Sequence, residues 1–138
     1  MNEQRALLGK EWQALQTQVE HSERQLLWVK LFAVLLVLIV WPMGDRGVLL
    51  GIVLLAVLWL QNAIYATFQA RMVARLEVIE AAFVDGDGVT PFQLNTQWQQ
   101  QRPGQLGLIA QYACQALRPT VAFPYLVLLV LMLLRALL

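Results

Sequence analysis

Residues 48–83 decide the fold of this chain, and they read VLLGIVLLAVLWLQNAIYATFQARMVARLEVIEAAF. The first 13 residues are apolar enough for a membrane span, and the next 23 become polar while containing no proline or glycine. At the α-helical rise, this stretch makes a rod of about 54 Å, whereas the hydrocarbon core of a bilayer is about 30 Å thick. We therefore predict one helix that spans the membrane over residues 48–68 and extends into the cytoplasm over residues 69–84.

The composition of the whole chain also indicates an integral membrane protein. Of the 138 residues, 59% are hydrophobic and 14% are charged, with a mean hydropathy of +0.56, whereas soluble domains carry about 25% charged residues. The net charge of +1 comes without a basic stripe, so we expect no nucleic-acid partner. The single cysteine, Cys114, excludes an intrachain disulfide and a cysteine-built metal site, and we expect it to serve in packing.

Residues 2–25 are predicted to form an amphipathic cytoplasmic helix. Its apolar positions recur at intervals of three and four, which is the spacing of a helix–helix seam, at Leu8, Trp12, Leu15, Val19 and Leu26. A helix that lies on a bilayer carries more Lys and Arg on its polar face than this one does. Packing against another helix is therefore favoured over lying on lipid.

The first membrane span is predicted over residues 26–43. Trp28 and Trp41 stand about 20 Å apart along a helix, which places one indole near each interface. Lys30 lies near one end, where its stem can carry the ammonium to the headgroups. Pro42 closes the span, and the glycines of residues 44–47 indicate a tight outer turn. No cleavage pattern follows this apolar run, so we expect the span to remain as an anchor.

Residues 85–118 are predicted to form a cytoplasmic loop and a short helix. The Asp85-Gly86-Asp87-Gly88 run resembles the start of a calcium loop, but the following positions lack the required ligands and glycine, so we interpret it as a turn. Residues 89–104 look irregular and residues 105–117 helical. The apolar residues 119–138 are predicted to be a third span, with a re-entrant or surface helix as the alternative.

The distribution of positive charge predicts the orientation. Eight Lys and Arg residues flank one side of the spans and two flank the other: Arg5, Lys10, Arg24, Lys30, Arg71, Arg75, Arg102 and Arg118 against Arg46 and Arg135. Because short cytoplasmic loops are enriched in positive charge, the N-terminus is expected inside and the C-terminus outside. We expect a multi-pass protein of a bacterial inner membrane.

This topology places two amphipathic helices side by side at the cytoplasmic face. The extension of the second span has its own apolar stripe, and the predicted packing residues of the pair are Leu8, Trp12, Leu15, Val19, Phe68, Met72, Leu76 and Ile79. Self-association through the same surfaces is the alternative. Lys30, Arg71 and Arg75 are expected either to meet headgroup phosphates or to form ion pairs, the two arginines with Glu20 and Glu23 of the facing helix.

The residues that usually carry catalysis are nearly absent, so the sequence predicts no enzyme activity, no catalytic residue, no cofactor and no metal. His21, Ser22 and Cys114 are each the only residue of their kind, and no phosphate-binding or zinc-protease motif occurs. Polar side chains near the inner end of the second span, Gln61, Asn62 and Thr67, indicate either interhelical hydrogen bonds or the mouth of an oligomeric pore.

Residues 2–83 resemble the SLATT-type membrane proteins of bacterial defence systems. The resemblance lies in an amphipathic helix, a two-span hairpin and a long charged helix, with Asn62-Ala-Ile-Tyr65 leading into Ala70-Arg-Met-Val-Ala-Arg-Leu-Glu77. It implies a membrane effector that oligomerises when a partner senses infection, and it assigns no functional residue. The leading hypothesis is thus a non-enzymatic subunit that assembles with itself or with a membrane or cytoplasmic protein. A channel is the second hypothesis, and a lipid-acting enzyme the third.

Overall fold

The computed structural model describes residues 2–86, 88–101 and 104–138, and these residues contain helices and turns but no strand. Three residues used in the sequence predictions lie outside the described residues. They are Asp87 of the run compared with a calcium loop, Arg102 of the positive charges that predict the orientation, and Pro103 of the segment expected to be irregular. The five α-helices are α1 (Asn2–Val40), α2 (Gly44–Asp85), α3 (Leu94–Gln101), α4 (Gln105–Ala116) and α5 (Pro119–Leu137), with a 3-10 turn (Trp41–Met43) between α1 and α2.

Helices α1 and α2 form a long antiparallel hairpin. The predicted cytoplasmic helix and first span are one continuous helix of 39 residues, and α2 has 42 residues, which corresponds to about 63 Å. Val40 packs close to Gly51 near the turn, and Glu11 pairs with Arg75 towards the other end. The two helices therefore stay together over most of their length.

The predicted outer turn over residues 44–47 is wrong, because the chain reverses earlier. Residues Trp41–Met43 form the 3-10 turn, Gly44 adopts φ 72°, and α2 already begins there. A Cβ atom on Gly47 would lie 2.5 Å from the Val40 carbonyl oxygen, so this glycine permits close approach of the two helices rather than a turn. Asp45 then falls in the first turn of α2, where a carboxylate interacts favourably with the helix dipole.

Two helical stretches, Asn2–Asp85 and Pro119–Leu137, are long and apolar enough to cross a membrane. The first contains α1, the 3-10 turn and α2. Large apolar side chains are exposed in α5 and in the parts of α1 and α2 next to their connection, including Trp28, Leu38, Leu49, Val53 and Leu133. Soluble monomers rarely expose such continuous apolar surface, which is typical of contact with lipid or with another protein.

Helix α5 packs against the hairpin near the turn. The core at this end contains Ala33, Val37 and Val40 from α1, Val48 and Leu55 from α2, and Tyr125, Leu128 and Met132 from α5. Met132 approaches Gly51 so closely that a Cβ there would lie 2.5 Å from its Cε atom. The core therefore joins three helices, with a glycine at a point of close contact.

The segment after α2 is more helical than the sequence predicts. Gly86 ends α2 in the left-handed conformation, and its N–H donates to the Ala82 carbonyl at 3.0 Å. Residues Leu94–Gln101, expected to be irregular, form α3. So short a polar helix depends on tertiary contacts, and Leu94 packs on the α1–α2 core while Trp98 lies against Arg71.

Candidate functional site

The halves of α1 and α2 that lie away from the turn share a second apolar core, as the apolar seam predicts. Leu8, Leu15 and Val19 of α1 are buried with Leu76 and Ile79 of α2, and Trp12 and Met72 pack against them. Seven of the eight predicted packing residues therefore lie together.

The eighth, Phe68, is wrongly placed by the sequence pattern. Its side chain is 45% exposed. The centroid of the Phe68 ring lies 4.7 Å from Cζ of the Arg71 guanidinium. The buried positions at this level of α2 are Ala63, Ala66 and Thr67. Small side chains face inward there, so the large ring projects outward.

A bidentate ion pair, Glu11–Arg75, lies inside this core. Arg75 Nε donates to Glu11 Oε1 at 2.8 Å, and Arg75 Nη2 donates to Glu11 Oε2 at 3.1 Å. Glu11 is 4% exposed and Arg75 is 2% exposed. Two charges so far from water require close pairing and additional hydrogen bonds.

The additional hydrogen bonds come from the loop that follows α2. Arg75 Nη2 donates to the Thr90 carbonyl at 2.7 Å, and the Phe92 N–H donates to Glu11 Oε2 at 2.7 Å. Phe92 has a positive φ of 59°, which is uncommon for a bulky residue. The ion pair thus joins three segments of the chain at one point.

Two further hydrogen bonds surround this junction. Trp12 Nε1 donates to Glu80 Oε1 at 2.9 Å, which links α1 to α2. Gln4 Nε2 donates to the Val89 carbonyl at 2.7 Å, which links α1 to the loop. Together with the ion pair, these bonds hold the loop against the open end of the hairpin.

The predicted roles of the charged residues need correction for Arg75. A side chain this buried does not meet headgroup phosphates, and its partner is Glu11 rather than Glu20 or Glu23, both of which are exposed. The sequence contained a signal for the burial of Glu11 but not for its partner, because Glu11 stands three residues after Leu8 and four before Leu15, on the apolar seam itself.

The other two predicted cations have different surroundings. The Arg71 guanidinium lies 3.8 Å from the Trp98 ring centroid, between α2 and α3, a geometry that favours cation–π attraction. Lys30 Nζ donates to the Thr120 carbonyl at 2.8 Å and links α1 to the start of α5.

The three residues proposed for a pore mouth do not share one surface. Gln61 is exposed, whereas Asn62 and Thr67 are buried within the chain. Asn62 Nδ2 donates to the Tyr125 hydroxyl at 3.0 Å, and Thr67 Oγ1 donates to the Ala63 carbonyl at 2.9 Å. Two of them therefore take part in packing and hydrogen bonding inside the monomer, which is the first of the two interpretations above.

Helix α4 and the residue after it carry an apolar face that the other described residues leave exposed. The exposed fraction of the side chain is 84% for Leu106, 62% for Ile109 and 73% for Leu117. Ala110 and Ala113 are also exposed. All five residues follow the helical spacing of three and four. We call this set the α4 stripe. Cys114, expected in packing, is instead exposed beside it.

Neither chemistry nor similarity adds a further site. Within the described ranges, no three His, Cys, Asp or Glu side chains are grouped so that they could hold a metal ion. The His21 side chain is exposed, and its Nε2 atom lies 3.2 Å from Nε2 of Gln25. No protein-family model matches the chain, and comparison with curated proteins and with solved structures also found no match.

Proposed function

We propose that this chain is a non-enzymatic subunit of a bacterial inner membrane that works by assembling with further protein. In this proposal α1, α2 and α5 each cross the bilayer once, with the ion-pair end of the hairpin in the cytoplasm. The resemblance to SLATT-type proteins over residues 2–83 supports a role as a membrane effector.

The exposed apolar belt supports the three-span placement. The exposed large apolar residues of α1 and the 3-10 turn, from Leu27 to Met43, cover about 25 Å of chain. This length is close to the thickness of the hydrocarbon core. Lys30 and Arg118 stand at one end of the belt and Arg46 at the other, in agreement with the charge asymmetry of the sequence.

The observation that carries the assembly proposal is the α4 stripe. The two apolar stripes that first suggested a partner are used within the chain, because they form the core around Leu15 and Leu76. The α4 stripe differs, since Leu106 and Ile109 stay largely exposed while α4 runs alongside α2 in the cytoplasmic half. Exposed apolar faces of this kind mark protein contact sites.

Cross-linking through Cys114 tests the proposal directly. This cysteine is exposed next to the stripe, so a short bis-maleimide added to native membranes should yield cross-linked species above the monomer mass. Ile109→Glu places a charge in the stripe and should abolish most of that product. Val84→Glu is the matched control, because Val84 is as exposed as Leu106, at 84%, but lies on α2.

Loss of the product in both variants, or in neither, would contradict assembly through α4. Alkaline extraction of the same membranes tests the placement independently. A protein that leaves the membrane at high pH would disprove the three-span topology, whatever the cross-linking result.

A further inference from the structure

The α4 stripe has the residue spacing of a two-stranded coiled coil. Leu106, Ala110, Ala113 and Leu117 are separated by four, three and four residues, which is the d–a–d–a order of a heptad repeat. Leu117, the residue after α4, keeps helical dihedral angles, so all four side chains follow one helical surface. The two alanines at its centre would let a second helix approach closely, and the leucines would pack at both ends.

The positions beside the stripe are compatible with pairing between identical chains. In a coiled coil, charged residues at positions e and g set which helices pair. Here these positions hold small or apolar residues, namely Gly107, Ile109, Cys114 and Ala116. Residues 105–117 contain no charged side chain, and the next residue, Arg118, is hydrogen-bonded back to α4 through its Nη1 atom. Two identical stripes can therefore meet without opposing like charges, and the stripe offers no charge that would select an oppositely charged partner.

The direction of α4 decides how two copies can meet. Trp59 Nε1 of α2 donates to the Ala116 carbonyl at 3.0 Å, whereas Ala110 borders a groove that reaches Ala74, further along α2. Helix α4 therefore runs antiparallel to α2, with its last turn nearest the apolar belt. In the three-span placement, all copies have the same orientation in the membrane. The α4 stripes of two neighbours are then parallel and at the same height.

The size of the stripe is sufficient for a specific but weak contact. Complete covering of the stripe in two copies would remove roughly 900 Å² from water, close to the limit of about 1,000 Å² for a specific interface. Two favourable circumstances add to this contact. Helix α4 is already folded against α2, so pairing does not have to order it, and confinement to one membrane raises the effective concentration of the copies.

We propose that the α4 stripe binds the α4 stripe of a second copy of this chain, in a parallel pair around a two-fold axis along the membrane normal. This inference rests on the assembly and on the three-span placement proposed above, and it names the partner that they leave open. In such a pair each residue at positions a and d lies opposite itself, and Ile109 of one copy lies against Cys114 of the other.

Disulfide trapping in native membranes tests the pair and its register. Single cysteines are introduced into the full chain after Cys114→Ser has removed the native thiol, and two copies with different epitope tags are co-expressed. Mild oxidation should join the two tagged copies through Ala110→Cys and through Ala113→Cys. The reason is that an in-register parallel pair brings each of these positions within the short Cβ–Cβ distance that a disulfide requires.

Two control positions lie outside the stripe. Gln111→Cys borders the groove between α4 and α2, and Val84→Cys lies at the exposed end of α2. We expect at least fivefold more two-tag product from the stripe positions than from these controls, and similar yields at all four positions would overturn the proposal.

A mixed experiment tests the direction of pairing. One tagged copy carries Leu106→Cys and the other carries Leu117→Cys. A parallel pair should join each variant to itself when it is expressed with both tags, and should give little mixed product. A mixed product that exceeds both self-joined products would show an antiparallel pair and would also overturn the proposal.

The outcomes separate this inference from the proposals on which it depends. A bis-maleimide product of Cys114 that disappears in Ile109→Glu but contains only one of the two tags would leave assembly through α4 standing and would disprove a second copy as the partner. The absence of any product above the monomer mass would contradict both. A chain that alkaline extraction removes from the membrane would disprove the three-span placement, and the parallel pair with it.

Discussion

The two halves of the α1–α2 hairpin are joined in different ways. In the half next to the turn, the helices pack through apolar and small side chains, with Gly47 and Gly51 at points of close approach. In the other half, an apolar core surrounds the Glu11–Arg75 ion pair. The same pair of helices therefore uses close packing at one end and a buried charge pair at the other.

This difference follows from the solvent proposed for each half. Lipid is as apolar as a leucine side chain, so helices within it associate through close packing and hydrogen bonds. In water, burying apolar side chains already stabilises the contact between the two helices. A buried ion pair adds little to that stability. The ion pair has another effect that apolar side chains would not reproduce: it binds the loop at Thr90 and Phe92.

Breaking the ion pair should have the largest effect of any change to the hairpin. Glu11→Gln leaves Arg75 buried without its carboxylate, which should cost about 3–5 kcal/mol in the free energy of unfolding. Thermal unfolding of the detergent-solubilised protein, followed by circular dichroism, measures the loss. Glu20→Gln is the control at an exposed site of the same helix, and a similar loss in that variant would contradict the prediction.

The pair's role in stability can be separated from its role in holding the loop. Glu11→Leu combined with Arg75→Met replaces both charges with apolar groups and should recover most of the lost stability. The Phe92 N–H would still lack its acceptor, so chymotrypsin should cleave after Phe92 faster than in the unmodified chain. A double variant with an unchanged cleavage rate would show that the loop does not depend on the pair.

Thr67→Pro should uncouple the two halves. Proline inside a helix removes a backbone hydrogen bond and clashes with the preceding turn, at a cost of about 3 kcal/mol or more. We expect membrane insertion to persist, as judged by alkaline extraction, while the half that contains the ion pair unfolds in a separate transition at lower temperature. Thr67→Val, which removes only the side-chain hydrogen bond to Ala63, should retain one transition; two transitions in this control would argue against the mechanism.

Gly47→Ala tests the close approach in the other half. The added Cβ would lie 2.5 Å from the Val40 carbonyl oxygen, and we expect overpacking to cost about 1–3 kcal/mol in unfolding free energy. Gly9→Ala is the matched control, because nothing lies within 4 Å of the added atom. That substitution should stabilise α1 by about 0.5–1 kcal/mol. Effects of the same sign in both variants would refute the packing argument.

The smallest effect is expected for the hydrogen bond between Asn62 and Tyr125. Tyr125→Phe removes the acceptor for Asn62 Nδ2, and interhelical hydrogen bonds in membranes average about 0.6 kcal/mol. Unfolding in mixed detergent micelles measures such a difference, with Tyr65→Phe, at an exposed site, as the control. A loss comparable to that of Glu11→Gln would show that the two halves are joined in the same way after all.

Much of the fold follows from periodicity in the sequence. The intervals of three and four that contain Leu8, Leu15, Leu76 and Ile79 predicted the core that these residues form. The pattern wrongly assigned Phe68 to the buried seam, because periodicity identifies apolar positions but does not indicate how closely two helices approach. Where Ala63 and Ala66 allow close packing, the large ring two positions after Ala66 projects outward.

Periodicity could not predict the contacts of Glu11, for a different reason. Its position on the seam hinted at burial, but its partners Arg75 and Phe92 lie 64 and 81 residues away, and a repeat pattern carries no information about such pairs. The same applies to α3, whose polar sequence forms a helix because Leu94 and Trp98 find contacts on α2 and the adjoining core.

The long sequence separation between Glu11 and Arg75 bears on the biosynthesis of the chain. Ribosomes add about 5–20 residues per second. Because Glu11 and Arg75 are 64 residues apart, Arg75 is synthesised roughly 3 to 13 s after Glu11. The loop carbonyl and amide that complete the junction emerge shortly afterwards, before α5 has been made. Translation order therefore lets the ion-pair end of the hairpin close first, so that α5 packs against two helices that are already joined.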